Sequence, residues 1–368
     1  MTAGVKSVCI TRRIVGSALF KQNRSLLPLG PEMRMIRRWH ICSAGLALVM
    51  SFAAGESFAV ELGDLTNYVR GSSQGLPLGV LPPPGLYAGF SAGATGLGNS
   101  PGKGNQSTGV ATNPVFGYGQ SLLWVPGWTF LGATYGAGIV QGEFFGLSAT
   151  SVNPPFTASA INGPELVNTN FTPISLSWAL GSGWFSALAV TIVAPIGSQW
   201  TSTVADVNIN PDFWTFAPGW AVSYIDANWL GSANFRYDIN TASRGVTLGA
   251  PFLGQAANGF VSGNELFGDF TALYKIGKWQ VGPVAYFEAQ TTADKPGGGV
   301  ACTPAICGYQ SQIAVGAMVG YDFGPVAVQM WFDDTVECQN AVCGLDVWGR
   351  LTFKIWGPDA PKPLIGKN

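Results

Sequence analysis

Four carboxylates, Asp269, Glu288, Asp322 and Asp346, lie near the cations Arg236, Lys275, Arg350 and Lys354 in stretches where polar and apolar residues alternate. Paired carboxylates can carry general acid/base chemistry, and charges lining a narrow passage can select what moves through it. The same groups can also fill an interior as ion pairs, because a buried charge is tolerated when it is paired. Ion pairing accounts for the set without any catalysis, and it is compatible with a lined passage. The polar side chains expected to line that passage are Arg236, Asp238, Asp269, Lys275, Gln280, Glu288, Gln290, Asp322, Asp346, Arg350 and Lys354.

Other chemistries are poorly supplied. The single histidine, His40, falls in a stretch read below as a cleaved leader. Without it, Ser-His-Asp and Cys-His nucleophile systems and His-containing zinc sites have no base or ligand. Gly136-Ala137-Gly138 and Gly181-Ser182-Gly183 lack the following helix of a phosphate-binding loop and read as strand and turn glycines. Asp333-Asp334 resembles a cation site, but neighbouring strand residues face opposite ways, so a solvated loop edge is expected there. No catalytic residue, metal site or cofactor is assigned. The formal net charge of -1 offers no electrostatic case for nucleic acid.

Cys302, Cys307, Cys338 and Cys343 follow the leader, in two loops expected on one rim. Each pair has four intervening residues, which lets a loop turn back within bonding distance, and thiols outside the cell are normally oxidised. Local bridges Cys302–Cys307 and Cys338–Cys343 are the first choice among three connectivities. A four-thiolate metal site is the alternative, weakened by spacings unlike a zinc knuckle in a soluble module.

The elements that must position these residues are strands. Ala233, Phe235, Tyr237 and Ile239 alternate with Ser232, Asn234, Arg236 and Asp238; Val347, Leu351, Phe353 and Ile355 alternate with Asp346, Arg350, Thr352 and Lys354. Only 11% of the chain is charged while 47% is hydrophobic, well under the roughly one-quarter charged content of soluble domains. Fifty glycines and 24 prolines oppose long helices. The run 177–197 is long enough for a membrane helix, but Gly181-Ser182-Gly183 interrupts it and no Lys or Arg flanks it. Two strands and a tight turn fit better. Twelve such segments are expected: 85–97, 114–125, 128–142, 171–181, 184–196, 213–225, 229–240, 264–276, 279–291, 309–322, 326–335 and 345–356. Connections alternate between tiny (126–127, 182–183, 226–228, 277–278, 323–325) and long. That is the pattern of an all-β transmembrane antiparallel barrel with short periplasmic turns and long extracellular loops. Trp128, Trp178, Trp214, Trp220, Trp279 and Trp356 are expected in aromatic girdles, and Leu176, Val190, Phe235, Phe287 and Leu351 are expected to face lipid.

Ahead of the barrel, Arg34, Arg37 and Arg38, a short apolar run from Ile41 to Ala54, and Ser57-Phe58-Ala59 form a secretory leader over 33–59. Residues 1–32 are read as an over-long start or an extension, 60–84 as a periplasmic or plug segment, 85–356 as the barrel, and 357–368 as a polar tail.

"GLYAGF" from Gly85, "FTPISLSWALG" from Phe171, "VAPIGSQ" from Val193, "DFWTFAPGWAVSYI" from Asp212 and the stretch Phe260–Asp294 together resemble the phenol meta-pathway (MetA-type, SphA-like) outer-membrane proteins. The resemblance runs from about Glu61 to Trp356. The tail after Trp356 and the four cysteines depart from the family pattern. The resemblance implies a bacterial outer-membrane transporter that takes up small hydrophobic or aromatic compounds, with outer-membrane lipid and the solute as partners. Two other functions stay open: a structural or surface-interaction barrel with a blocked lumen, and a barrel lipid hydrolase.

Overall fold

A period-two sequence buries one face of each strand and leaves the other outside, and a sheet that closes on itself leaves no unpaired edge. The computed structural model describes residues 67–98, 110–112, 114–145, 148–152, 155–159, 165–197, 212–243, 261–295, 309–339, 341 and 343–358. Twelve long strands form the wall: β1 (Gly85–Leu97), β2 (Val115–Val125), β3 (Ala133–Phe145), β4 (Thr169–Gly181), β5 (Trp184–Ala194), β6 (Thr215–Ile225), β7 (Trp229–Asn240), β8 (Glu265–Ile276), β9 (Trp279–Gln290), β10 (Ser311–Asp322), β11 (Val326–Gln339) and β12 (Leu345–Trp356). Each pairs antiparallel with its sequence neighbours. Strand β12 returns to β1, from Leu86↔Trp356 to Leu97↔Leu345, and closes the barrel. Sequential antiparallel pairing puts every short turn on one rim and every long connection on the other.

The 177–197 run is two strands, β4 and β5, joined where Gly181, Ser182 and Gly183 take φ of +88°, +51° and +81°. Glycine suits the left-handed region at two of these positions, and Ser182 adopts it as well. Two boundaries differ from expectation. Strand β3 starts at Ala133 and not at 128, because Thr129–Phe130 folds back onto Ala133 and Thr134 around Leu131-Gly132. Strand β11 runs to Gln339, past the expected 335, because a register shift at Ile313/Ala314 lets Ser311 pair with Gln339. Near the long-loop rim, Val110–Thr112, Ser148–Val152 and Pro155–Ser159 form a small sheet of their own.

The outer face is apolar. Leu122, Leu188, Val190, Val281, Val319, Met330 and Leu351 are exposed on it, a contiguous apolar belt of the kind soluble monomers avoid. At the short-turn end, residues opposite each other in the ladder form aromatic pairs: Trp184 with Tyr224, Trp229 with Tyr274 and Trp279 with Tyr321, at centroid distances of 5.0, 4.9 and 4.8 Å. Trp128 and Trp356 are exposed at the same end. Trp178 donates its indole N–H to the Leu131 carbonyl there. Trp214 lies just before β6, at the long-loop end. Trp220, expected in a girdle, sits mid-strand and stacks on Phe235. Phe270 and Phe287 complete that outer cluster. Leu176 pairs in register with Leu188 on the same outer face.

Candidate functional site

The interior of the barrel is occupied by the chain's own residues 67–84. This stretch has the composition of a string of turns. Gly71 and Gly75 take φ of +71° and +76°, and backbone N–H groups of Ser72, Gln74, Leu76 and Val80 each donate to a carbonyl three residues back. Pro77 and Pro82 to Pro84 bring no backbone donor, so the stretch cannot join the wall as a further strand. Many of its other polar groups bind inward side chains of the barrel, while Gln74 Oε1 is buried without a hydrogen-bond partner among the described residues.

Asp269 on β8 is the main anchor. Its carboxylate accepts from Gly71 N (3.1 Å), Ser73 N (3.0 Å), Ser73 Oγ (2.6 Å) and Tyr68 Oη (2.7 Å). Charge-assisted bonds of this type are about twice as strong as neutral ones. Arg70 forms an ion pair with Glu288 on β9, 2.9 Å apart, with side-chain exposures of 6% and 0%. Gln310 Nε2 donates to the other Glu288 oxygen at 2.8 Å. Gln74 Nε2 donates to Asp333 at 3.0 Å. From β12, Arg350 donates to the carbonyls of Gln74 and Ser72 while its guanidinium lies over the Trp331 ring at 4.7 Å. Asn234 Nδ2 donates to Ser73 Oγ. Beside these contacts, Arg236 grips Asp238 through both carboxylate oxygens and stacks on Tyr68. Tyr286 donates to Asp346, which also accepts from Thr95 and from Gly96 N.

Towards the short-turn rim the contacts become neutral. Gly75 N donates to Thr271 Oγ1 and Gly79 N to Ser223 Oγ, each at 2.9 Å. Gln329 Nε2 donates to the Gly75 carbonyl and Ser177 Oγ to that of Gly79. Gly75 is tightly enclosed, since a Cβ there would lie 2.6 Å from the Met318 sulfur. Below Gly75 a cavity of 180 Å³ opens against Leu76 and Pro77.

Asp238, Asp269, Glu288, Gln290, Asp346 and Arg350 are buried inside, and Arg236 is partly buried with them. Gln280 lines the lower cavity. Three residues expected in the passage lie at the short-turn rim. Lys275 Nζ donates to the Asp226 carbonyl, Asp322 caps its own turn by accepting from Gly324 N, and Lys354 Nζ donates to the Pro358 carbonyl. Gln290 binds Asp294 and the Thr292 carbonyl, at the long-loop end. Asp333, expected at a solvated loop edge, is instead 1% exposed inside the barrel and faces Asp346 across the ladder. It lies within the expected strand 326–335 and takes the inward parity shared with Trp331, while Asp334 faces out. Gln310, Gln312, Thr215 and Asn234 are also buried contributors; strand parity marks Asn234, but nothing local marks Arg70 as their counterpart.

Cys338 and Cys343 form a disulfide with Cα atoms 5.9 Å apart, joining the end of β11 to the start of β12. Cys302 and Cys307 lie outside the described residues. Two carboxylates at the rims have opposite electrostatics. Burial pushes Asp294 up to about 6, against bonds from Gly263 N and Gln290. At the other rim, bonds from Tyr224 Oη, Asn228 N and Trp229 N hold Asp226 below the usual carboxylate range.

Among solved structures, the chain is similar to an outer membrane channel from Pseudomonas putida F1 at 10% identity and a TM-score of 0.55, covering 78% of this chain and 99% of that one. Looser likenesses include the KdgM porin (8% identity, TM-score 0.35, 73% of this chain and 99% of that one). Another is the outer membrane phospholipase A from Escherichia coli (12% identity, TM-score 0.32, 78% and 98%). At these identities the likeness to the first extends to the fold, a closed outer-membrane-type barrel. No curated protein matches the chain. Residues 96–351, well over half the chain and nearly the whole wall, match the family described as "Putative MetA-pathway of phenol degradation", and the protein belongs to that family.

Proposed function

We propose that the protein is a bacterial outer-membrane channel for passive entry of small hydrophobic or aromatic solutes, with residues 67–84 as its resident gate. The observation that carries this reading is how the segment is held. It shares no strand ladder with the wall and is bound through side chains, as a ligand would be: Asp269, Glu288, Asp333 and Arg350 grip turns and carbonyls. Because no hydrogen bond of the wall's own ladders depends on the segment, it can shift without unravelling the barrel. The apolar belt and the aromatic pairs support residence in the outer membrane, with the short turns facing the periplasm. On this reading Arg236, Asp238, Asp269, Gln280, Glu288, Gln290, Asp346 and Arg350 line the solute's path. No catalytic residue is assigned.

The occupied lumen also favours a second reading, a structural barrel that never opens. Conductance in planar bilayers separates the two. The intact chain should give brief, small openings, and removal of residues 67–81 should give large, steady ones. A chain that stays silent when intact and also when truncated, while correctly folded, defeats the channel.

A further inference from the structure

Below the charged part of the lumen the lining changes character. The 180 Å³ cavity is bounded by Leu76 and Pro77 of the gate segment and by Leu230, Gln280, Gln329 and Thr352 of the wall. Leu230, Gln280 and Gln329 stand at the starts of β7, β9 and β11, just above short turns. No charged side chain borders the space. Gln329 is engaged by Gly75 and Arg350. The side chains of Gln280 and Thr352, by contrast, have no hydrogen-bond partner among the described residues. The Gln280 amide and the Thr352 hydroxyl are therefore left to face an uncharged recess whose remaining wall includes Tyr321, Ala327 and Val328.

We infer that this cavity is a binding subsite for a small neutral solute with one flat apolar body and one hydrogen-bonding group, such as a hydroxylated six-membered ring. Size sets the first limit: an apolar cavity of roughly 150 Å³ takes up benzene, so 180 Å³ holds a single ring with a small substituent. Charge sets the second. A carboxylate entering the recess loses its hydration and meets no charged lining residue, and the nearby Arg350 is already committed to Gln329 and to the Gln74 and Ser72 carbonyls, which disfavours acids of the same size. Polarity sets the third, because a hydroxyl can accept from the Gln280 amide and donate to its oxygen or to Thr352, whereas a bare hydrocarbon leaves both as they are. The subsite lies directly beneath the gate segment, so a solute bound there contacts Leu76 and Pro77. This inference rests on the channel reading for its role, though its binding step can be measured alone.

The test uses ¹⁹F NMR on the purified full-length protein in detergent, with empty micelles as the blank. 4-Fluorophenol should show saturable binding, fluorobenzene should bind several-fold more weakly, and 4-fluorobenzoate should not saturate. Gln280→Leu should weaken 4-fluorophenol about tenfold, the size of one net hydrogen bond, and Leu230→Trp should abolish saturation by filling the space. If Leu230→Trp fails to fold, Ala327→Phe fills the same cavity from β11. Undiminished binding in a folded cavity-filled variant, no saturable binding at all, or tighter binding of the benzoate overturns the subsite. Conductance without binding removes the subsite and leaves the channel; binding without conductance removes the channel and leaves the subsite.

Discussion

The two ends of this barrel share one wall and one alternation, yet they hold the gate segment by different physics. In the half nearer the long loops, Asp269, Glu288, Asp333 and Arg350 are buried and bind it through charged groups. In the half nearer the short turns, contacts come from Thr271, Ser223, Ser177 and Gln329, and a neutral cavity remains. Charged contacts in a dry interior are strong and intolerant of losing one partner; neutral ones are individually replaceable by water. The segment is therefore tethered at the long-loop end and only rests against the wall at the short-turn end. The rims repeat the contrast: loops tied by a buried Asp294 and a disulfide on one side, turns capped by solvated Asp226 and Asp322 on the other.

The largest effect should come from Asp269. Asp269→Ala strands four donors at once, a loss of about 3 kcal/mol or more in segment docking at 1–3 kcal/mol for each unsatisfied group. Hydrogen–deuterium exchange in 67–75 should rise by at least two orders of magnitude while the strands stay protected. Protection unchanged in 67–75 contradicts the tether. Next, Arg70→Met leaves Glu288 buried without its cation, a loss of about 3 kcal/mol; the double variant Arg70→Met/Glu288→Gln should recover much of that loss. By contrast, Ser223→Ala at the neutral end should cost about 1 kcal/mol, with exchange rising only around Gly79. An effect there as large as that of Asp269→Ala erases the distinction between the halves.

Smaller effects belong to the rims. Replacing Cys338 and Cys343 by Ser should cost at most about 2 kcal/mol, as expected for closing so short a loop, and should loosen the β11–β12 connection without unfolding the barrel. The last comparison is with pH. Asp294 has a folded pKa of about 6, above its unfolded value, so its share of stability is full below the unfolded pKa and is lost as pH rises through 6. Asp226 has a lowered folded pKa, so its share is present above the unfolded value near 3.9 and is lost as pH falls through the folded one. Exchange protection, taken relative to the intrinsic rate at each pH, should rise at 261–264 and 292–295 between pH 7 and pH 5, while that of 226–228 stays constant over that range and falls only in stronger acid. Parallel behaviour of the two rims breaks the contrast.

Much of the wall was legible in the residues themselves, because strand parity is a local property. Ser232 to Ile239 announces its two faces with no knowledge of any partner, and the interior places of Asp238, Asp269, Glu288, Asp346 and Arg350 follow from that alternation. Short turns were equally legible at Gly181–Gly183, where left-handed backbone calls for glycine. Reading failed at Asp333: it lay inside the expected strand 326–335, yet nothing local gave a reason to bury its carboxylate, and its partner Gln74 comes from 259 positions away. What only the tertiary structure decided is who meets whom inside. Arg70 finds Glu288 across 218 positions of sequence, and Arg350 finds the Gln74 carbonyl across 276. No periodicity encodes such separations; they exist because closing the sheet brings inward faces of distant strands around one axis, and the leading segment is the chain that fills it.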